Sequence, residues 1–176
     1  MQQLEYLLNG RFPPINPATP NNPTFRLARP DDREALFTLS DGSLTPYQFQ
    51  KHLTQLLKWQ QQQRCCWLVI EAPEGTLIGS GQLVCYPHVA ELSNLSVAPA
   101  HRGQGWGSQM IALLTAVARQ WHIPYLEIAV DQTNHRALAL YQRLGFAEDR
   151  RLYLPDGRTA LILGKEITND GTTNYE

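Results

Sequence analysis

The chain has 176 residues, 43% of them hydrophobic and 18% charged, enough apolar material for one domain with a sizeable core. With 15 basic against 16 acidic side chains the net charge is −1, which argues against nucleic acid or a membrane surface as the main partner, so any anion site must be local. Cys65, Cys66 and Cys85 are odd in number and lack a CxxC spacing, which argues against a disulfide framework or a zinc site and suits a reducing, cytoplasmic compartment. The start, MQQLEYLLNG, lacks the basic segment and apolar run of a secretion signal. No stretch approaches the roughly 18 apolar residues of a membrane span.

Residues 1–23 read as an N-terminal arm, because PPINPATPNNP cannot continue a helix. TFRLA alternates and predicts a first strand. RPDDREALFTL follows as a short helix, with Asp31 as cap and Glu34 three residues on. A second helix begins at Thr45, with Pro46 at its first position and Gln48 at its third. Phe49, Leu53, Leu56, Leu57 and Gln60 share one face of it, and the run from Gln60 to Gln63 reads as its solvated end.

CCWLVIEA, LIGSGQLVCY and VAELSNLSV form a meander by their turn signals. After a glycine loop, Met110, Ile111, Leu114, Val117, Ala118 and Trp121 mark one face of a helix that Pro124 stops. YLEIAV reads as a buried strand. NHRALALYQRLGF is a helix capped by Asn134, with Ala137, Leu140, Tyr141 and Leu144 inward and Gly145 just past its end. RRLYL and ALILGKEI make a last hairpin around PDGR, and residues 168–176 are a polar tail. The order predicts one domain over residues 24–167, an α+β mixed sheet with helices on both faces and no internal repeat.

The loop HRGQGWGS demands a reason for three alternate glycines. A glycine turn between strand and helix lets backbone N–H groups converge on an anion, and the helix N-terminus adds about half a positive charge. Arg102 adds a full charge in a fork suited to phosphate. A nucleotide P-loop is rejected, because no Lys lies in the loop. A dinucleotide fingerprint fits poorly: the spacing is G-x-G-x-G, and an antiparallel meander precedes it.

Two blocks, LSVAPAHRGQGWGSQMI and NHRALALYQRLGF, with a strand between them, resemble the GNAT superfamily of N-acetyltransferases over roughly Thr24 to Lys165. The resemblance implies a central mixed, mostly antiparallel sheet and acetyl-CoA as co-substrate. It implies that Arg102, Gly103, Gln104, Gly105, Trp106, Gly107 and Ser108 cradle the pyrophosphate, and that Leu95 and Val97 pair with the pantetheine arm. Pro99 cannot continue a ladder, and in this fold the strand carrying LSNLSV splays from its neighbour, so its free backbone groups need partners. Asn134 would cap its helix and contact the cofactor. Trp106 would cover the cofactor or pack on the sheet.

Acetyl transfer needs an unprotonated amine, an oxyanion stabiliser and a proton for the leaving thiolate. An amine with a pKa of ~10.4 is almost wholly protonated at pH 7, so a base is useful, directly or through water. Glu91, expected to share a strand face with Val97, and Glu127 on the next strand are the two candidates. By the resemblance, Tyr141 is the donor to the thiolate, and a backbone N–H near Val97 stabilises the oxyanion. No cysteine stands as a nucleophile, so attack is direct in a ternary complex. The five histidines show no metal spacing, and no metal is expected. The acceptor is a small-molecule or peptide amine. Tyr47, Phe49, Trp59 and Tyr153 fall on the elements that line its site in this family. The alternative is a non-catalytic module that senses acyl-CoA.

Overall fold

The computed structural model describes residues 22–40, 42–87 and 89–167. The expected arm, apart from its last two residues, and the polar tail lie outside the described residues. The elements are β1 (Thr24–Leu27), α1 (Arg33–Leu39), α2 (Pro46–Gln61), β2 (Cys65–Glu71), β3 (Leu77–Cys85), β4 (Ala90–Val97), α3 (Trp106–Gln120), β5 (Tyr125–Asp131), α4 (His135–Arg143), β6 (Ala147–Tyr153) and β7 (Thr159–Glu166). Seven strands form one sheet in the order β1-β2-β3-β4-β5-β7-β6. Among the described residues only β4 and β5 run parallel. This is the mixed, mostly antiparallel α+β architecture expected.

Alternate residues of the central strands feed two cores. Leu68, Ile70, Leu92 and Ile128 pack with α3 and α4 on one face. Trp67, Val69 and Val84 pack with α1 and α2 on the other. Strands β2 and β3 are covered on both faces, which is why CCWLVIE is continuously apolar. β5 was expected to be buried and is so on one side only. Leu126, Ile128 and Val130 are buried, whereas Ala129 on the other face is exposed.

Three local expectations are corrected. Asp32 rather than Asp31 holds the position before α1, and its side chain makes no cap bond to that helix: its carboxylate accepts instead from the Arg29 N–H at 2.7 Å and from both terminal nitrogens of Arg26. Arg26 in turn binds Glu71, which ties α1 to the edge of the sheet. Gln60 is not solvated. It is 7% exposed, donates to Ala28 O and accepts from Trp67 N–H, so α2 is latched to β1 and β2. The capping box at Thr45 and Gln48 forms as expected.

The third correction reaches the site. Glu91 and Val97 do not share a face. Glu91 pairs with Val84, in the core under α1 and α2, whereas Val97 pairs with Gly79 and packs in the other core. The alternation is broken by a bulge between the pairs Gln82↔Ser93 and Ser80↔Ser96. Asn94 sits there with φ 49°, and its amide is held by Gln82 Oε1 at 2.9 Å. The bulge needs Gly81 opposite: a Cβ at that position would collide with Leu95 and with Met110 of α3.

Gly81→Val is therefore expected to destabilise the fold by about 3 kcal/mol through overpacking against Met110 and Leu95. Urea unfolding checks this, and a wild-type midpoint would contradict the packing described.

Candidate active site

The parallel pairing of β4 with β5 is short. It holds Ala90↔Leu126, Glu91↔Glu127 and Leu92↔Ile128, and then the strands diverge. Beyond Leu92, β4 keeps β3 on one side and has no strand partner on the other among the described residues. Backbone groups facing that gap need partners from outside the sheet. Two clefts open at the gap, one toward each face. Leu95, Ser96, Val97, Arg102 and Tyr141 belong to both.

The first cleft, of about 620 Å³, lies between the glycine loop, the start of α3 and a flank of α4. Gly103 and Gly105 have φ of 81° and 90°, the left-handed region that glycine takes without strain. Gly105 is the N-cap of α3 and offers no side chain to its first turn, where Gln109 N–H is bonded to Gly105 O at 3.1 Å. The amides of Trp106, Gly107 and Ser108 precede that bond and have no intrahelical partner. Arg102 donates from Nε to Val97 O at 2.8 Å, which fastens the loop to the end of β4.

Every loop-side residue expected from the sequence lines this cleft except Gln104. Gln104 accepts from Trp106 Nε1 at 3.2 Å and donates to Ala100 O, so it braces the loop. Trp106 does pack on the sheet, 6.1 Å from the Phe25 ring, and its other side faces the cleft. Asn134 accepts from Ala137 N–H as the cap of α4. Arg136, Arg143 and His101 also line the cleft, and no carboxylate does among the described residues. The sequence reading missed Arg136 and Arg143. Arg136, two residues past the capping Asn134, is the one with a usable signal. This patch is a concentrated positive field in a chain of net charge −1.

The second cleft, of about 700 Å³, opens under α1 and α2. Of the four aromatics expected near an acceptor, only Phe49 lines it; Tyr47 and Tyr153 are 68% and 82% exposed. The sequence reading also missed His52 and Gln82, both in its wall. Burial keeps the His52 imidazole below its usual range, so it is neutral at pH 7.

Glu91 and Glu127 stand side by side in register, and neither is in the wall of either of these two clefts. Both oxygens of Glu127 accept from Arg150 at 2.8 Å. Glu91 is half-buried, and desolvation, with the Glu127 charge second, holds its carboxyl above the ordinary range. Asp131 is a turn residue, accepting from Thr133 N–H and Oγ1. Tyr141 is 8% exposed, on the inward face of α4, its ring 6.3 Å from Phe146. Its hydroxyl has no hydrogen-bond partner among the described residues, and burial raises its pKa, which keeps it protonated.

A model of the acetyltransferase (GNAT) family matches residues 33–146, well over half of the chain. The chain belongs to that family. It is similar to the mycothiol acetyltransferase of Jonesia denitrificans, 39% identical over 77 residues, covering 43% of this chain and 24% of that one. It is also similar to a Bacillus subtilis protein provisionally named ribosomal protein bS18-alanine N-acetyltransferase, 27% identical over 100 residues, covering 55% of this chain and 66% of that one. The matches thus span about a quarter and just under two thirds of these relatives. The crystal structure of the ribosomal-protein-S18-alanine N-acetyltransferase from Escherichia coli superposes with a TM-score of 0.69 at 21% identity, covering 88% of this chain and 99% of that one.

The raised carboxyl of Glu91 has a consequence for stability. A folded pKa above the unfolded value of about 4.3 favours the fold only while the acid is protonated, and that contribution is lost as pH rises through the folded pKa. Glu91→Gln is expected to be more stable than wild type at pH 7, with the gap closing below about pH 4. Paired urea titrations at the two pH values check this, and a pH-independent gap would contradict it.

Proposed function

We propose that the chain is an N-acetyltransferase that moves the acetyl group of acetyl-CoA to an amine by direct attack in a ternary complex. The observation that carries this is Tyr141, whose protonated hydroxyl stands in the wall common to both clefts. The residues present fit the donor. The free amides at the start of α3, with Arg102, Arg136 and Arg143, suit a pyrophosphate. The unpartnered edge of β4 suits the amide-bearing pantetheine arm, and the gap beyond Leu92 leads the thioester toward the second cleft.

In this reading the amine lone pair attacks the thioester carbonyl carbon from the second cleft, and the C–N bond forms. A backbone N–H near Val97 stabilises the oxyanion. The C–S bond then breaks, and the Tyr141 hydroxyl stabilises the departing thiolate. With a thiol at a pKa of about 8.5 and an ordinary tyrosine near 10, full proton transfer is already uphill by roughly 2 kcal/mol, and the burial that raises Tyr141 makes it more so; hydrogen-bond donation is its main service. The surplus proton of the amine passes to a base. Glu91, reached through water, has the more basic environment, while Glu127 is engaged by Arg150. Retention of the acidic limb of the pH–rate profile in Glu91→Gln would move the base to His52 or solvent.

One relative is named for mycothiol and another for a ribosomal-protein alanine, and these names support a reading in which the acceptor here is a small-molecule or peptide amine. Tyr141→Phe removes one hydroxyl from a packed ring. It is expected to lower kcat about a hundredfold while leaving the Kd for acetyl-CoA within about twofold. Thiol release and calorimetry check the two quantities. Equal turnover in the variant would overturn the assigned role, and binding of acetyl-CoA without thiol release over a broad amine panel would favour a sensing module.

A further inference from the structure

Gln82 on β3 is 1% exposed, yet it lies in the wall of the second cleft. It pairs with Trp67 on one side and Ser93 on the other, so it belongs to the face covered by α1 and α2. Its Oε1 accepts from Asn94 Nδ2 at 2.9 Å and from Ser93 Oγ at 3.4 Å. Its Nε2 is buried and has no hydrogen-bond partner among the described residues. An orphaned buried donor is destabilising, and a close-packed sheet centre is an unfavourable place to keep one. The bulge sets its direction: because Asn94 takes the oxygen, the amide nitrogen is turned the other way.

The chemistry of the surrounding wall is consistent with a donor awaiting an acceptor atom. The charged or titratable groups lining this cleft are His52, Arg102 and Tyr141, and no carboxylate is among the described residues there. A polycation would find no counter-charge in it. We propose that, within the acetyltransferase reading on which this rests, Gln82 Nε2 donates to a carbonyl oxygen next to the reacting nitrogen. The acceptor class is then an α-amino carbonyl compound, such as an amino acid amide or a peptide N-terminus, rather than an alkylamine or polyamine. Gln82 is an acceptor-binding residue that sets specificity.

The test compares L-alaninamide with sec-butylamine, which has a similar shape without the carbonyl. Thiol release from acetyl-CoA is followed in wild type, Gln82→Glu and Gln82→Met. Gln82→Glu keeps the oxygen that serves Asn94 and Ser93 and removes the donor; Gln82→Met removes both. Comparing ratios between variants cancels the different basicities of the two amines. The kcat/KM ratio of alaninamide to sec-butylamine is expected to fall about tenfold or more in both variants, mainly through KM for alaninamide. In Gln82→Glu the new carboxylate should also admit 1,4-diaminobutane. The Kd for acetyl-CoA, measured by calorimetry, should hold in all three proteins and shows that they are folded. An unchanged ratio overturns the proposal. Wild-type binding of acetyl-CoA with no turnover of alaninamide also overturns it, while leaving the donor site standing. Failure of wild type to bind acetyl-CoA at all would instead overturn the acetyltransferase reading.

Discussion

The divergence of β4 from β5 after the Leu92↔Ile128 pair is the constraint on which the rest of the site depends. A parallel ladder that ran on would satisfy the backbone of both strands and close the sheet. Here it stops after three pairs, and the bulge at Asn94 twists the free end of β4 away. One interruption therefore produces the unpartnered edge, the gap through the sheet and the two clefts that meet at it. Gly81 makes the bulge sterically feasible, and the Arg102 bond to Val97 O holds its outer end in place.

The two clefts are electrically unlike. The loop side gathers Arg102, Arg136, Arg143, His101 and the free amides of a helix start, whereas the α1–α2 side shares only Arg102 of these with it and is otherwise lined by neutral polar groups and apolar surface. On the proposed reading, an anionic donor and an acceptor segment would be sorted to opposite faces. The carboxylates stand behind this front. Arg150 holds Glu127, and Glu91 beside it is left half-buried next to a like charge, the arrangement that makes a carboxylate more basic. The buried Tyr141 lines both clefts, because α4 presents it inward shortly before Gly145 turns the chain with φ 86°.

Much of this was legible in the sequence because it obeys local rules. Alternate glycines with left-handed backbone, the Asn134 cap, the Thr45–Gln48 box and the Gly145 terminus are set by neighbours a few residues away. What was not legible arises from distant contacts. Asn94 carries no sign that it breaks the strand, so Glu91 was placed on the wrong face relative to Val97. Gln60 and Gln82 look solvent-facing by type, and only the second layer of packing buries them. Arg136 and Arg143 join Arg102 across the fold, which no spacing rule anticipates.

Amide hydrogen exchange with and without acetyl-CoA tests the central claim most directly. If the free edge of β4 receives the donor's amide-bearing arm, exchange should slow at residues 93–97 and 103–108, with β6 unchanged. Binding of acetyl-CoA that leaves residues 93–97 exchanging as in the free protein would contradict it.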